Sequence, residues 1–131
     1  MLRSLVGSEM CIRDRAWSQP RLVFETDGTI NFPTVVTDPF GQVHAFWVVL
    51  PSEADPGPNQ LYYTRLDRPD WKPVDIFVSN ESFTELAGIA NTQRIALFWH
   101  GDTYTWAGVS PSASAQDWPP PTALHLSLIH I

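Results

Sequence analysis

Gln42-Val43-His44-Ala45-Phe46-Trp47 is answered, 52 positions on, by Arg94-Ile95-Ala96-Leu97-Phe98-Trp99. Both stretches read as β-strands, because aromatic and aliphatic residues follow one another with no glycine or proline between them. A second mark keeps similar time. Trp17 precedes Pro20, Trp71 precedes Pro73, and Trp118 precedes Pro119 to Pro121, so the tryptophans lie 54 and 47 residues apart. Self-similarity at about 50 residues in strand-like sequence indicates a repeat architecture.

The punctuation around the two copies runs in parallel. Before the first come a short strand at 22–24, a loop at 25–32 containing Asp27-Gly28, a strand at 33–37 and the turn Asp38-Pro39-Phe40-Gly41. Proline second and glycine fourth suit a type I turn. The strand at 42–50 has two apolar faces, Val43/Ala45/Trp47/Val49 and His44/Phe46/Val48/Leu50. Both faces are therefore expected to be covered. A proline-rich loop at 51–59, a strand at 60–66, a turn at 67–70, Trp71 and a strand at 74–78 follow, then a loop at 79–82. The second copy repeats the course with strands at 83–90, 94–100 and 103–109. Its second loop shrinks to Gly101-Asp102, and the turn before Trp118 lengthens. Strands that persist while loops drift are usual among repeats.

The expected fold class is all-β, with about two four-stranded antiparallel blades of an incomplete β-propeller. Residues 16–32 supply the last strand of a preceding blade and a linking loop, 33–78 one blade and 83–124 a second. Residues 1–15 and about 125–131 differ from the rest. VGSEMCIRDR and LSLIHI resemble translated sequencing-adapter read-through at the edges of assembled environmental reads, so both ends are read as non-native extensions. The run Leu5-Val6 is too short for a signal-peptide core.

Six tryptophans, seven phenylalanines, three tyrosines and twelve prolines fit an all-β reading, and the net charge is −6. An acidic chain without a basic cluster argues against nucleic-acid partners. No apolar run approaches the length of a membrane span. The one cysteine, Cys11, lies in the foreign-looking end, so neither a disulfide framework nor a thiolate metal site is expected. His44 and His100 are not spaced as a metal pair, and no cofactor motif is present.

The string Asp38-Pro39-Phe40-Gly41-Gln42-Val43-His44-Ala45-Phe46-Trp47, the string Leu61-Tyr62-Tyr63-Thr64-Arg65 and the tryptophan entering the fourth strand resemble the sialidase-like propellers. Repeats of that superfamily carry the Asp-box, or BNR, motif Ser/Thr-x-Asp-x-Gly-x-x-Trp. Thr64 and Trp71 keep the separation, but the aspartate comes one place late at Asp67 and the glycine is missing. Before Trp118 only Ser112, Ser114 and Asp117 remain.

The resemblance implies that ligands meet the end opposite the box turns, at loops 25–32, 50–59, 79–82 and 100–102. The candidate ligand-binding residues are then Asp27, Glu53, Asp55, Glu81, His100 and Asp102. Trp106 joins them, because its match by spacing is Thr64 and no aromatic counterpart explains it. The other tryptophans read as packing residues. Sialidases hold a substrate carboxylate with three arginines, since a guanidinium pairs with it bidentately. Here Arg21, Arg65, Arg68 and Arg94 all fall at the box-turn end, so no catalytic residue carries over.

The expected function is a noncatalytic scaffold binding a carbohydrate or protein ligand, extracellular or in the cell envelope as the resemblance implies. The alternative is part of an exo-sialidase-like glycoside hydrolase whose catalytic residues lie in other blades. A third reading, a complete two-sheet sandwich such as a carbohydrate-binding module, requires strands interchanged between the sheets.

Overall fold

A computed structural model describes residues 19–113 and 115–124. The expectations for 1–15, Trp17, Ser114 and 125–131 fall outside these described residues. The strands are β1 (Thr29–Thr37), β2 (Val43–Leu50), β3 (Asn59–Arg65), β4 (Val74–Ser79), β5 (Thr84–Ala90), β6 (Ile95–His100), β7 (Thr105–Val109) and β8 (Thr122–Leu124). They form two antiparallel four-stranded sheets, ordered β1-β2-β3-β4 and β5-β6-β7-β8. Each strand pairs with its sequence neighbour, and no strand is exchanged between the sheets. The described residues contain no helix, and so none long and apolar enough to cross a membrane.

β2 is buried along both faces. Its Phe46 and Val48, with Leu61 and Tyr63 of β3 and Phe77 of β4, join Ile95, Leu97 and Trp99 of β6 in one core between the sheets. Ala45, Trp47 and Val49 face the other way, under Val23 and Phe24. The backbones of the sheets run alongside each other at β1 and β5. Removing large aromatic and aliphatic side chains from water is the main force holding such layers together.

The strand expected at 22–24 does not form. Val23 and Phe24 lie against the face of the first sheet, where side-chain packing is available but no backbone ladder is. β1 starts earlier than expected, at Thr29, and takes in much of the 25–32 loop. A bulge between Asn31 and Thr34 makes this possible by accommodating Pro33. Phe32 sits there at φ 54°, and Glu85 sits at φ 53° in the matching bulge of β5, between Thr84 and Ala87. The same irregularity thus recurs over dissimilar residues, Phe-Pro in one sheet and Glu-Leu in the other.

Other local devices repeat as well. Asp38 Oδ1 accepts the N–H groups of Phe40 and Gln42, and Asn91 Oδ1 accepts those of Gln93 and Arg94. Both are Asx turns closing the first hairpin of a sheet. The N–H of Val43, first in β2, is capped by Asp67 Oδ1 at 2.9 Å. That of Ile95, first in β6, is capped by the Ser110 hydroxyl at 2.8 Å.

Candidate functional site

The register gathers four connections at one end of the sheets. Thr29 lies opposite Leu50, Asn59 opposite Ser79, and His100 opposite both Thr84 and Thr105. The loops beyond these residues carry the sequence candidates, and two cavities open among them.

The first cavity, of about 270 Å³, is lined by Asp27 and Asp55 together with Thr26, Ser52 and Gln60. The Asp55 N–H is held by the Ser52 hydroxyl at 3.1 Å, which fixes the proline-rich loop locally. Glu53 is on the same loop but is exposed and outside the cavity.

The second cavity, of about 290 Å³, opens between the sheets and is lined by Phe77, Phe83, Trp99, Trp106, Glu81 and Ser79 among others. The Glu81 loop is pinned at both ends. Ser79 Oγ accepts the Glu81 N–H at 3.0 Å, and Asn59 Nδ2 donates to the Glu81 carbonyl at 2.9 Å. The Glu81 carboxylate accepts the Asp102 N–H at 3.1 Å, while the Asp102 side chain points to solvent. The short loop after β6 turns at Gly101, whose N–H donates to the Tyr104 carbonyl. A Cβ at Gly101 would stand 2.7 Å from both Glu81 Oε1 and Trp106 Nε1. Glycine therefore lets an acceptor and a donor approach the same point.

His100 does not join either cavity. It is exposed on the outer face of the second sheet, with Nδ1 3.0 Å from the Thr105 hydroxyl and Nε2 3.9 Å from Glu85 Oε1. The structure thus brings Glu81, Asp102 and Trp106 together, pairs Asp27 with Asp55 elsewhere, and leaves Glu53 and His100 apart.

The match of Trp106 to Thr64 is corrected by the ladders. Trp99 faces Trp106 across β6 and β7, as Trp47 faces Tyr62 across β2 and β3. The counterpart of Trp106 is Tyr62, and that of Thr64 is Gly108. Spacing misled because the intervening loop shortened, so counting along the chain lost the register. Phe77, Phe83 and Trp99 were also missed as cavity residues, since they read as ordinary packing groups and double as core.

The opposite end carries buried polar groups instead. His44 Nε2 lies 2.9 Å from Asp38 Oδ2, and Nδ1 lies 2.8 Å from the Tyr63 hydroxyl. The network places a proton on Nε2 for Asp38 and leaves Nδ1 to accept from Tyr63. Burial alone would raise the Asp38 pKa. The bonds from His44 and from the Gln42 and Phe40 N–H groups outweigh it and hold the carboxyl below its ordinary 3.8. Burial raises the Tyr63 phenol well above its ordinary 10. Arg65 forms a two-pronged pair with Asp67 that holds this carboxyl far below the usual range. Its guanidinium also lies 5.3 Å over the Trp71 ring. All three rings and chains at His44, Tyr63 and Arg65 are sealed from solvent, so this end is a structural latch.

Among the described residues, no cluster of three or more His, Cys, Asp or Glu side chains is arranged to hold a metal ion. No family model matches this chain, and neither a curated protein nor a solved structure matches it.

Proposed function

We propose that this chain is part of a sialidase-like β-propeller that binds glycans or proteins as a noncatalytic scaffold. One observation carries the reading: the same packing step occurs twice. Phe24 lies on Trp47 with ring centroids 5.3 Å apart, and Phe77 lies on Trp99 at the same 5.3 Å. In both cases an aromatic ring from the chain before a sheet lies on that sheet's tryptophan-bearing face, which is in keeping with blades around an axis. Consecutive strand order in both sheets supports this over a sandwich with interchanged strands.

The outer face of the second sheet fits the same scheme. Ile89, Phe98 and Leu124 are 69%, 40% and 40% exposed, whereas their register counterparts Val36, Phe46 and Phe77 are 6%, 0% and 5% exposed. In the proposed propeller another blade covers them.

The lining of the two cavities supports the reading of binding without turnover. Neither is lined by an arginine, so neither offers the carboxylate clamp a sialidase needs. The test is hydrolysis of umbelliferyl sialosides and neutral umbelliferyl glycosides by the full chain, alongside retention on immobilised glycans. Retention without release of the fluorophore is expected. Release that disappears on substituting Glu81 or Asp55 would sink the noncatalytic reading.

A further inference from the structure

We infer that the cavity between Glu81 and Trp106 is a binding site for an uncharged pyranose at the end of a glycan, an inference that rests on the glycan-binding reading above. Four features of the site select this chemistry.

The first is the pairing of polar atoms. Glu81 Oε1 and Trp106 Nε1 both border Gly101, each 2.7 Å from where a Cβ would stand, and Glu81 Oε1 also accepts the Asp102 N–H. An ionised carboxylate only accepts hydrogen bonds and an indole N–H only donates. A ligand hydroxyl, which both donates and accepts, can meet the two groups from the cavity side, where Glu81 and Trp106 both form the lining. Trp106 Nε1 has no hydrogen-bond partner among the described residues, so its donor is available.

The second is the wall. Trp106 is only partly buried, while Phe77, Phe83 and Trp99 beneath it are buried. An aromatic face above a hydrophobic floor suits the C–H face of a sugar ring, which is apolar on one side and hydroxylated at its rim.

The third is size. About 290 Å³ admits one ring with little to spare, at the lower limit for small-molecule sites.

The fourth is charge. The chain carries a net charge of −6, and among the described residues the one ionisable side chain lining the cavity is the Glu81 carboxylate. An anionic ligand such as a sialic acid, a uronic acid or a phosphate would face like charge with no cation to offset it.

In the first sheet the position of Trp106 is taken by Tyr62, which packs against Phe24 with ring centroids 4.6 Å apart.

The test is titration of the full chain with methyl pyranosides of glucose, galactose, mannose and N-acetylglucosamine, followed through the indole N–H signals by NMR. N-acetylneuraminic acid serves as the anionic control. At least one neutral pyranoside is expected to bind in the millimolar range and to shift the Trp106 indole signal. Glu81→Gln, which preserves shape, should weaken that binding by about tenfold, the usual effect of losing a charge-assisted hydrogen bond. Trp106→Ala should abolish it, and Asp55→Asn in the other cavity should leave it unchanged. The inference is overturned if no neutral pyranoside moves the Trp106 signal, if Glu81→Gln binds as well as the parent, or if N-acetylneuraminic acid binds more tightly than every neutral sugar. Glycan retention that leaves the Trp106 signal still would remove this site and keep the scaffold reading. Turnover of a glycoside would remove the scaffold reading without touching the site.

Discussion

His44 is the most constrained side chain at the latch end, since both ring nitrogens are committed and neither meets water. Tyr63→Phe removes one hydroxyl and should cost about 1 kcal/mol in urea unfolding, the ordinary net worth of one such bond. His44→Ala should cost more, about 3 kcal/mol, because it opens a cavity and strands the Asp38 carboxylate. Equal losses for the two variants would show that the network is not coupled as described. The pH dependence has two sides. Asp38 and Asp67 have folded pKa values below their unfolded ones. Their stabilisation is thus complete above about pH 4 and is lost as pH falls further. Tyr63 has a folded pKa above its unfolded 10, so its contribution holds below pH 10 and fades as pH rises beyond it. Melting temperature against pH should show a plateau between these limits, and Asp67→Asn should flatten the acid limb.

Among the elements, β4 meets β7 closely where Phe77 packs over Gly108. A Cβ at Gly108 would lie 2.6 Å from the ring of Phe77, which is itself packed on Trp99. The Phe77 ring would have to shift from its place on Trp99, so Gly108→Ala should destabilise by about 2 kcal/mol, a typical cost of overpacking. Pairing it with Phe77→Leu should recover part of that loss in the same denaturation experiment, and additive losses would place the clash elsewhere. The elements also show where sequence reading stops. β2 and β6 were legible because unbroken apolar runs need cover on both faces. The bulges at Phe32 and Glu85 were not, since neither Phe-Pro nor Glu-Leu announces a left-handed residue. They arise where the first strand of each sheet, an edge strand, bends against its neighbour, which is a demand of the sheet and not of the residues.

For the whole molecule, the decisive feature is asymmetry between the two sheets. The first is covered on both faces along β2, and the second leaves Ile89, Phe98 and Leu124 in water. An apolar sheet face of this kind promotes association. Sedimentation velocity of the full chain should show self-association that rises with concentration. Ile89→Lys with Phe98→Glu should reduce it while leaving the melting temperature nearly unchanged, because both side chains already face solvent. A parent chain that stays monomeric at high concentration would contradict this.

Repeat period, strand identity and the presence of two similar units were written in the chain, because apolar runs and turn residues act over a few neighbours and survive drift in loop length. The pairing of Trp106 with Tyr62 rather than Thr64 was not, nor was the placing of Glu81 and Trp106 beside Gly101. Those depend on hydrogen-bond register and on which loops meet at one end of the sheets, and both are settled only when distant strands align. The Phe-Trp strand identifies the unit, and the packing of one unit on the next decides that Trp99 is core while Trp106 stays partly open.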